Sequence, residues 1–196
     1  LIWDKSNVLV WSSREALRTA RGRRRIVEGW YHLFASIGER RAVGNCDAFW
    51  VTSDEERLRF EAAYGSTKRV SVLKSTVEAP SRIVAEPVAA PMVVGWLSSF
   101  GYSPNWDGLK EFASLAASLF VANDIRLRVV GAGASEEQRQ WLSQWPFVDF
   151  VGFADDLAAA FDGTSIAVVP VWHGAGVKLK TLSLMSLGIP VVASDV

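Results

Sequence analysis

The chain is expected to fold as an α/β protein whose parallel sheet is covered by helices on both faces. From Met92 to Ser194, five short apolar runs alternate with helical patterns, as strands buried on both faces require. Glycine-containing turns at Gly95, at Gly131-Ala132-Gly133 and at Gly174-Ala175-Gly176 fall at or near the C-terminal ends of such runs. That edge is where open parallel sheets bind ligands. With 196 residues, 49% hydrophobic and 21% charged, the chain is globular and long enough for one medium domain or for parts of two.

Taken in order, residues 6–13 read as a short strand or a loop end. From Arg14 to about Ala42 the pattern is helical. Ile26, Trp30, Phe34 and Ile37 recur on one side as an apolar stripe, and Gly22 divides the segment in two. Cys46 to Ser53 is a compact apolar strand. Ser53 then caps a helix opened by Asp54-Glu55-Glu56 and ending near Gly65, and Val70–Leu73 is a further strand. Residues 75–91 carry Pro80, Pro87 and Pro91 among small residues without a period, the composition of an interdomain linker. Residues 1–89 are therefore read as the end of an N-terminal α/β domain plus linker, and 90–196 as a C-terminal domain. In the latter, Met92–Leu97, Ile125–Val130, Val148–Phe153, Ile166–Val171 and Val191–Ser194 are strands. The intervening helices span Asp107–Leu119, a Ser135-capped stretch through Leu142, Asp155–Phe161 and Lys178–Leu187. A start at Leu1 and an end at Val196 inside an apolar strand read as a truncated piece of a longer protein.

Composition excludes several classes. Formal net charge is zero, so no global charge argues for nucleic acid. The single Cys46 allows no internal disulfide or cysteine metal site and is read as a small buried hydrophobe. His32 and His173 are the only histidines and give no support to a metal centre. No apolar run is long enough to span a bilayer, and the expected location is cytoplasmic. Charge is uneven, however. Residues 1–41 hold nine Lys/Arg against four acids, with Arg21, Arg23, Arg24 and Arg25 clustered. That segment is either a solvated helix face or a peripheral contact with anionic membrane at its inner face.

The strongest chemical signal lies between Val168 and Val196. An apolar strand turns through Gly174, Ala175 and Gly176 into a helix that opens with Lys178 and Lys180. Unpaired N–H groups, the helix dipole and ammonium charge then converge on one place, an anion site fit for a diphosphate. Two positions apart, the lysines lie on different helix faces, so one of them is expected to reach the ligand. His173 beside the turn is a candidate donor to a sugar or a structural hydrogen-bonder. Asp155-Asp156 read as a helix N-terminal acidic pair.

Four blocks in this half, VVGWLSSFGYSPNWDGLKEF, LRVVGAG, VDFVGFADDL and VVPVWHGAGVKLKTLSLMSLGIPVVASD, carry a family resemblance. In order and spacing they resemble the C-terminal, donor-binding domain of GT-B glycosyltransferases of family four, the group-one glycosyl transferases. CDAFWVTSDEE resembles the segment that ends that family's N-terminal domain. The resemblance implies a Rossmann-like parallel sheet preceded by a partial N-terminal α/β domain. It also implies transfer of a sugar from a nucleotide-diphosphate sugar to an acceptor hydroxyl, with retention, without an obligatory metal and with no cofactor beyond that co-substrate. The acceptor would be a glycan, a lipid or a small molecule, as in polysaccharide or glycolipid biosynthesis.

Carried over residue by residue, Gly174, Ala175, Gly176 and Val177 would face the phosphates and sugar, with Lys178 and Lys180 following. Gly131 and Gly133 would shape the turn beside the nucleotide. Phe153 falls where backbone meets the nucleobase edge, and Ser98 lies in the first turn, near the phosphates. Ser183 stands where the family holds the ribose with a glutamate. That replacement raises a second reading, a GT-B-like protein with weakened donor grip that serves as a non-catalytic binding or structural partner. A nucleotide-sugar epimerase on the same architecture is a third. The resemblance assigns no catalytic group in this stretch.

Overall fold

The computed structural model describes residues 2–5, 9–66, 69–80, 82–84, 91–172 and 178–194, with backbone alone for 2–5, 15 and 19. By its internal contacts the chain divides into two compact units, one ending at Ser75 and one beginning at Thr76.

In the first unit β1 (Ile2–Lys5), β2 (Ala48–Val51) and β3 (Arg69–Val72) form a parallel sheet in the order β1-β2-β3. Helices α1 (Leu9–Thr19) and α2 (Arg23–Asn45) join β1 to β2, and α3 (Asp54–Tyr64) joins β2 to β3. Gly22 separates α1 from α2 at a positive φ of 57°. Ser53 caps α3 by accepting from Glu56 N at 3.1 Å, with Asp54, Glu55 and Glu56 in the first turn. The core is built on Phe49 and Phe60, whose ring centroids lie 4.6 Å apart, with Val43 and Cys46 beside them.

Two expectations fail in this unit. Leu9–Ser13 are helical, not strand or loop. The cause is tertiary: Glu39, 2% exposed, accepts from Leu9 N at 3.0 Å and Val10 N at 2.8 Å. A carboxylate there satisfies orphan N–H groups and complements the dipole of α1. Glu39 also accepts from Tyr64 Oη at 2.6 Å. Burial first, then that bond, pushes the phenol well above its usual range. The second failure concerns the stripe. Ile26, Trp30, Phe34 and Ile37 face outward, at 65, 59, 65 and 42% exposure. The inward line of α2 is instead polar and small, with Glu28, Gly29, His32, Ala35, Ser36 and Glu39. His32 Nδ1 lies 2.8 Å from Ser13 Oγ on α1.

The second unit holds β4 (Val93–Leu97), β5 (Arg126–Val130), β6 (Val148–Gly152), β7 (Ile166–Val169) and β8 (Val191–Ala193). All pair in parallel, in the order β6-β5-β4-β7-β8. The five strands sit where the apolar runs place them. Gly95 lies inside β4, not in a turn at its end. Helices α4 (Ser103–Ala122), α5 (Glu136–Ser143), α6 (Leu157–Ala160) and α7 (Leu179–Ser186) connect the strands. Helix α4 begins four residues before its expected start, because Pro104 in its first turn has a preset φ and no N–H to satisfy. Ser135 forms a full capping box with Gln138, its Oγ accepting at 3.2 Å and its N donating at 2.8 Å. Asp156 caps α6 through Ala159 N at 3.0 Å.

Both faces of this sheet are covered. Trp96, Leu109, Phe120, Leu127, Val129 and Leu142 belong to one buried cluster, and Val130, Phe161, Ala167, Val169 and Leu184 to another. Each Val, Leu or Phe among them contributes roughly 1.5–3 kcal/mol by leaving water. Helix α4 lies close to the strand ends because its Gly108 has no Cβ; one there would overlap the Pro170 carbonyl oxygen. Among the described residues, no helix is long and apolar enough to cross a membrane.

Candidate functional site

The strand order reverses at β4. The chain runs outward through β5 and β6, then returns to the other side for β7 and β8. Loops leaving β4 and β7 therefore diverge, opening a crevice at the C-terminal edge between them. Ser98 leaves β4 there, its N donating to Val130 O at 3.1 Å, and Phe100 N donates to Ala132 O at 3.0 Å. These two bonds lay the β4–α4 loop against the turn after β5. Gly131 permits the approach, since a Cβ there would overlap the Ser98 carbonyl oxygen. Gly133 lies beyond it at a φ of 81°.

Helix α7 enters this crevice with its first turn. Lys180 Nζ donates to Ser98 Oγ at 2.9 Å and to Asn105 Oδ1. Ser98 and Asn105 are buried, at 9 and 6% exposure, and Asn105 Nδ2 donates to Ser99 O at 2.9 Å. Burial, and then the charge of Lys178, lower the Lys180 pKa to about 8. Both named partners of this ammonium are neutral. The ion pairs of the second unit lie elsewhere among the described residues, at Arg82–Asp162, Lys110–Asp107 and Arg128–Asp149.

Two neighbouring clefts bear on the site, one of which takes in Ser98. One of about 440 Å³ is lined by Ser98, Ser99, Gly131, Phe153, Asp155 and Leu157 among others. The other, of about 420 Å³, is lined by Glu78, Pro80, Asp155, Asp156, Ser183 and Ser186 among others. They share Asp155 and Leu157. Phe153, one of the residues lining the first cleft, is 70% exposed. Ser183 Oγ is turned back onto its own helix and donates to Leu179 O at 3.1 Å.

Of the positions singled out in the sequence, Ser98, Gly131 and Phe153 thus meet in one cleft, Lys180 joins them through Ser98, and Ser183 lies in the neighbouring one. Lys178 occupies the N-cap position of α7, and its side chain makes no capping hydrogen bond there. His173, Gly174, Ala175, Gly176 and Val177 lie outside the described residues. Sequence reasoning passed over Asn105. Its one signal was a place in the PNWDG run at the mouth of a helix, where an amide has both a donor and an acceptor to offer.

Residues 91–196, more than half of the chain, match the family described as "Glycosyl transferases group 1". The chain matches no curated protein. Among solved structures, it is similar to a sucrose-phosphate synthase from Thermosynechococcus elongatus, with 17% identity and a TM-score of 0.74, covering 100% of this chain and 50% of that one. It is also similar to WaaG, described as a glycosyltransferase involved in lipopolysaccharide biosynthesis, with 13% identity, a TM-score of 0.63 and coverage of 98 and 55%. A third likeness is to a S. aureus TarM mutant in complex with Fondaparinux, alpha-GlcNAc-glycerol and UDP, with 16% identity, a TM-score of 0.61 and coverage of 78 and 31%. The chain spans about half the length of the first two and about a third of the last. The likenesses share the Rossmann-like GT-B fold with it, and the match over 91–196 assigns the rest: the chain belongs to the group 1 glycosyl transferases.

Proposed function

We propose that the second unit binds the nucleoside diphosphate of a sugar donor, and that the protein transfers that sugar to an acceptor hydroxyl with retention and without an obligatory metal. One observation carries the reading: the half-buried Lys180 ammonium, held at the switch point by two neutral oxygens. Removing a charge from water is costly unless an opposite charge compensates it. A diphosphate entering the crevice supplies that charge, and cations fixed there stabilise the negative charge that grows on the β-phosphate as the glycosidic bond breaks. Asp155, which lines both clefts, and Asp156 and Glu78, which line the second, offer acceptors suited to sugar or ribose hydroxyls and hostile to phosphate. The donor is therefore oriented with its phosphates toward Lys180 and its nucleoside toward Asp155. The TarM mutant structure, whose fold is similar, holds UDP.

Titration calorimetry with UDP, GDP and their sugars tests the reading, with transfer assays run with and without EDTA. Saturable binding that Lys180→Met weakens at least tenfold supports it; no binding at millimolar ligand refutes it. Unchanged turnover in EDTA supports the metal-independent form.

A second reading, a GT-B-like binding partner with weak donor grip, is favoured by one specific observation. Ser183 spends its hydroxyl donor on Leu179 O of its own helix, and its short side chain has no carboxylate to offer a ribose. Ser183→Glu then raises nucleotide affinity at least several-fold, and turnover in the unaltered protein contradicts this reading.

The outward face of α2 supports peripheral contact with anionic membrane at a cytoplasmic surface. Trp30, Tyr31 and Phe34 are exposed there, between Arg23–Arg25 and Arg40–Arg41 in the chain, so aromatic and cationic groups that an anionic surface attracts lie on one helix. Cosedimentation with vesicles containing phosphatidylglycerol, lost on Trp30→Glu/Phe34→Glu, tests that contact.

A further inference from the structure

We propose that Asn105 is a positioning residue for the donor site, whose neutral amide fixes the Lys180 ammonium without neutralising it. This rests on the diphosphate reading above.

The amide has one orientation that satisfies both neighbours. Ser99 O can only accept, so it faces Nδ2, at 2.9 Å. Lys180 Nζ can only donate, so it faces Oδ1. Since Asn105 is 6% exposed, water does not compete for either side. The amide is anchored through Ser99 to the loop leaving β4, and that loop is held to the β5 turn by Ser98 N–Val130 O and Phe100 N–Ala132 O. Lys180 reaches 75 residues back along the chain to Asn105 and 82 to Ser98. Its position is thereby referred to the central strand and not to the short helix that bears it.

The choice of amide over carboxylate follows from function, not from the helix. Asn105 is the third residue of α4, a place where the positive end of the helix dipole favours a negative charge. A carboxylate there would suit the helix and would also bind Lys180, but as an ion pair that leaves no net charge for a ligand. The amide supplies the same acceptor geometry and leaves the cation uncompensated. Lys178 is the charged neighbour acting on Lys180, and Asp107, the carboxylate in the same turn of α4, is engaged by Lys110 at 3.1 Å.

Asn105→Asp and Asn105→Ala are compared with the unaltered protein by calorimetry with UDP and GDP from pH 6.5 to 10. In parallel, Lys180 is followed by NMR after reductive ¹³C-methylation. We expect each variant to bind the nucleoside diphosphate about tenfold or more weakly, the change expected when a charge-assisted hydrogen bond is lost or misdirected. For Asn105→Asp, the titration of Lys180 also moves to higher pH, and the loss of residual binding with rising pH moves with it. Where donor turnover is measurable, the loss falls on KM more than on kcat. Binding by the unaltered protein together with unchanged affinity and Lys180 titration in both variants overturns the positioning role alone. Absence of nucleotide binding by the unaltered protein overturns the donor reading on which it rests. If Asn105→Asp does not fold, Asn105→Ala together with Ser98→Ala carries the same comparison, since Ser98 supplies the other neutral oxygen.

Discussion

Replacing Gly131 by alanine adds one methyl group at the point where the β4–α4 loop crosses the turn after β5. A Cβ there overlaps the Ser98 carbonyl oxygen and comes within 3.3 Å of Cε2 of the Phe100 ring. The ring can shift by tenths of an ångström, but the carbonyl is backbone. Its loop is tied by Ser98 N–Val130 O at 3.1 Å, and Gly131 N itself donates to Gly152 O at 2.7 Å. The methyl group must therefore break or lengthen at least one of these bonds. Overpacking of this kind costs about 1–3 kcal/mol, and the upper end applies because the overlapped atom is backbone. For a chain of this size about 3 kcal/mol corresponds to a fall in Tm of roughly 6–12 °C. Any movement also carries Ser98 Oγ away from Lys180, so donor affinity falls with stability. Thermal unfolding followed by tryptophan fluorescence, with UDP titration of the folded protein, measures both. Unaltered Tm together with unaltered nucleotide affinity would refute the account of this crossing.

Two further predictions concern charge. The Lys180 pKa is lowered to about 8, so diphosphate affinity is greatest while the ammonium is protonated and falls as pH rises through 8, by up to about tenfold per unit. The stability of the free protein responds in the opposite sense. Between the folded value near 8 and the ordinary lysine value the unfolded chain binds more protons, so this group's contribution to stability rises with pH. Denaturation and binding curves at matched pH check the pair. Glu39→Ala leaves Leu9 N, Val10 N and Tyr64 Oη without their shared acceptor, at a cost of about 3 kcal/mol or more. Glu39→Gln keeps one of the two acceptor oxygens, which serve Leu9 N on one side and Val10 N and Tyr64 Oη on the other, and so costs less than alanine. Urea unfolding with circular dichroism checks both, and equal loss in the two variants would contradict the capping role.

The second unit was largely legible because its signals are local. Continuous apolar runs can be buried only in a sheet covered on both faces. The caps at Ser53 and Ser135 need only the residues three positions on. What escaped depends on partners far along the chain. The start of α1 is set by Glu39, 30 residues from Leu9, and no local pattern announces it. The stripe on α2 has the right period for a core face, but periodicity does not say which side meets the sheet; the buried Glu39 decides that. Similarly, Gly95 has the composition of a turn, but it lies within β4 because its missing side chain leaves room for Phe161. At the site, Lys180 could be singled out from its place after the glycine turn. That Ser98 and Asn105 hold it could not, since both lie on another strand-to-helix connection. Residues 82–84 belong to the same category: within the low-complexity stretch 75–91, Val84 N donates to Leu187 O at 2.9 Å.

The most direct test is calorimetric titration of the chain with UDP and with GDP at pH 7, beside Lys180→Met, whose side chain keeps most of the apolar stem and loses the charge. The account predicts saturable binding of at least one nucleoside diphosphate, weakened at least tenfold by the substitution in a protein that stays folded. For stability, relief of a half-buried ammonium held without a counter-ion is opposed by the Ser98 and Asn105 oxygens left without their donor. Equal affinity in the two proteins would contradict the account.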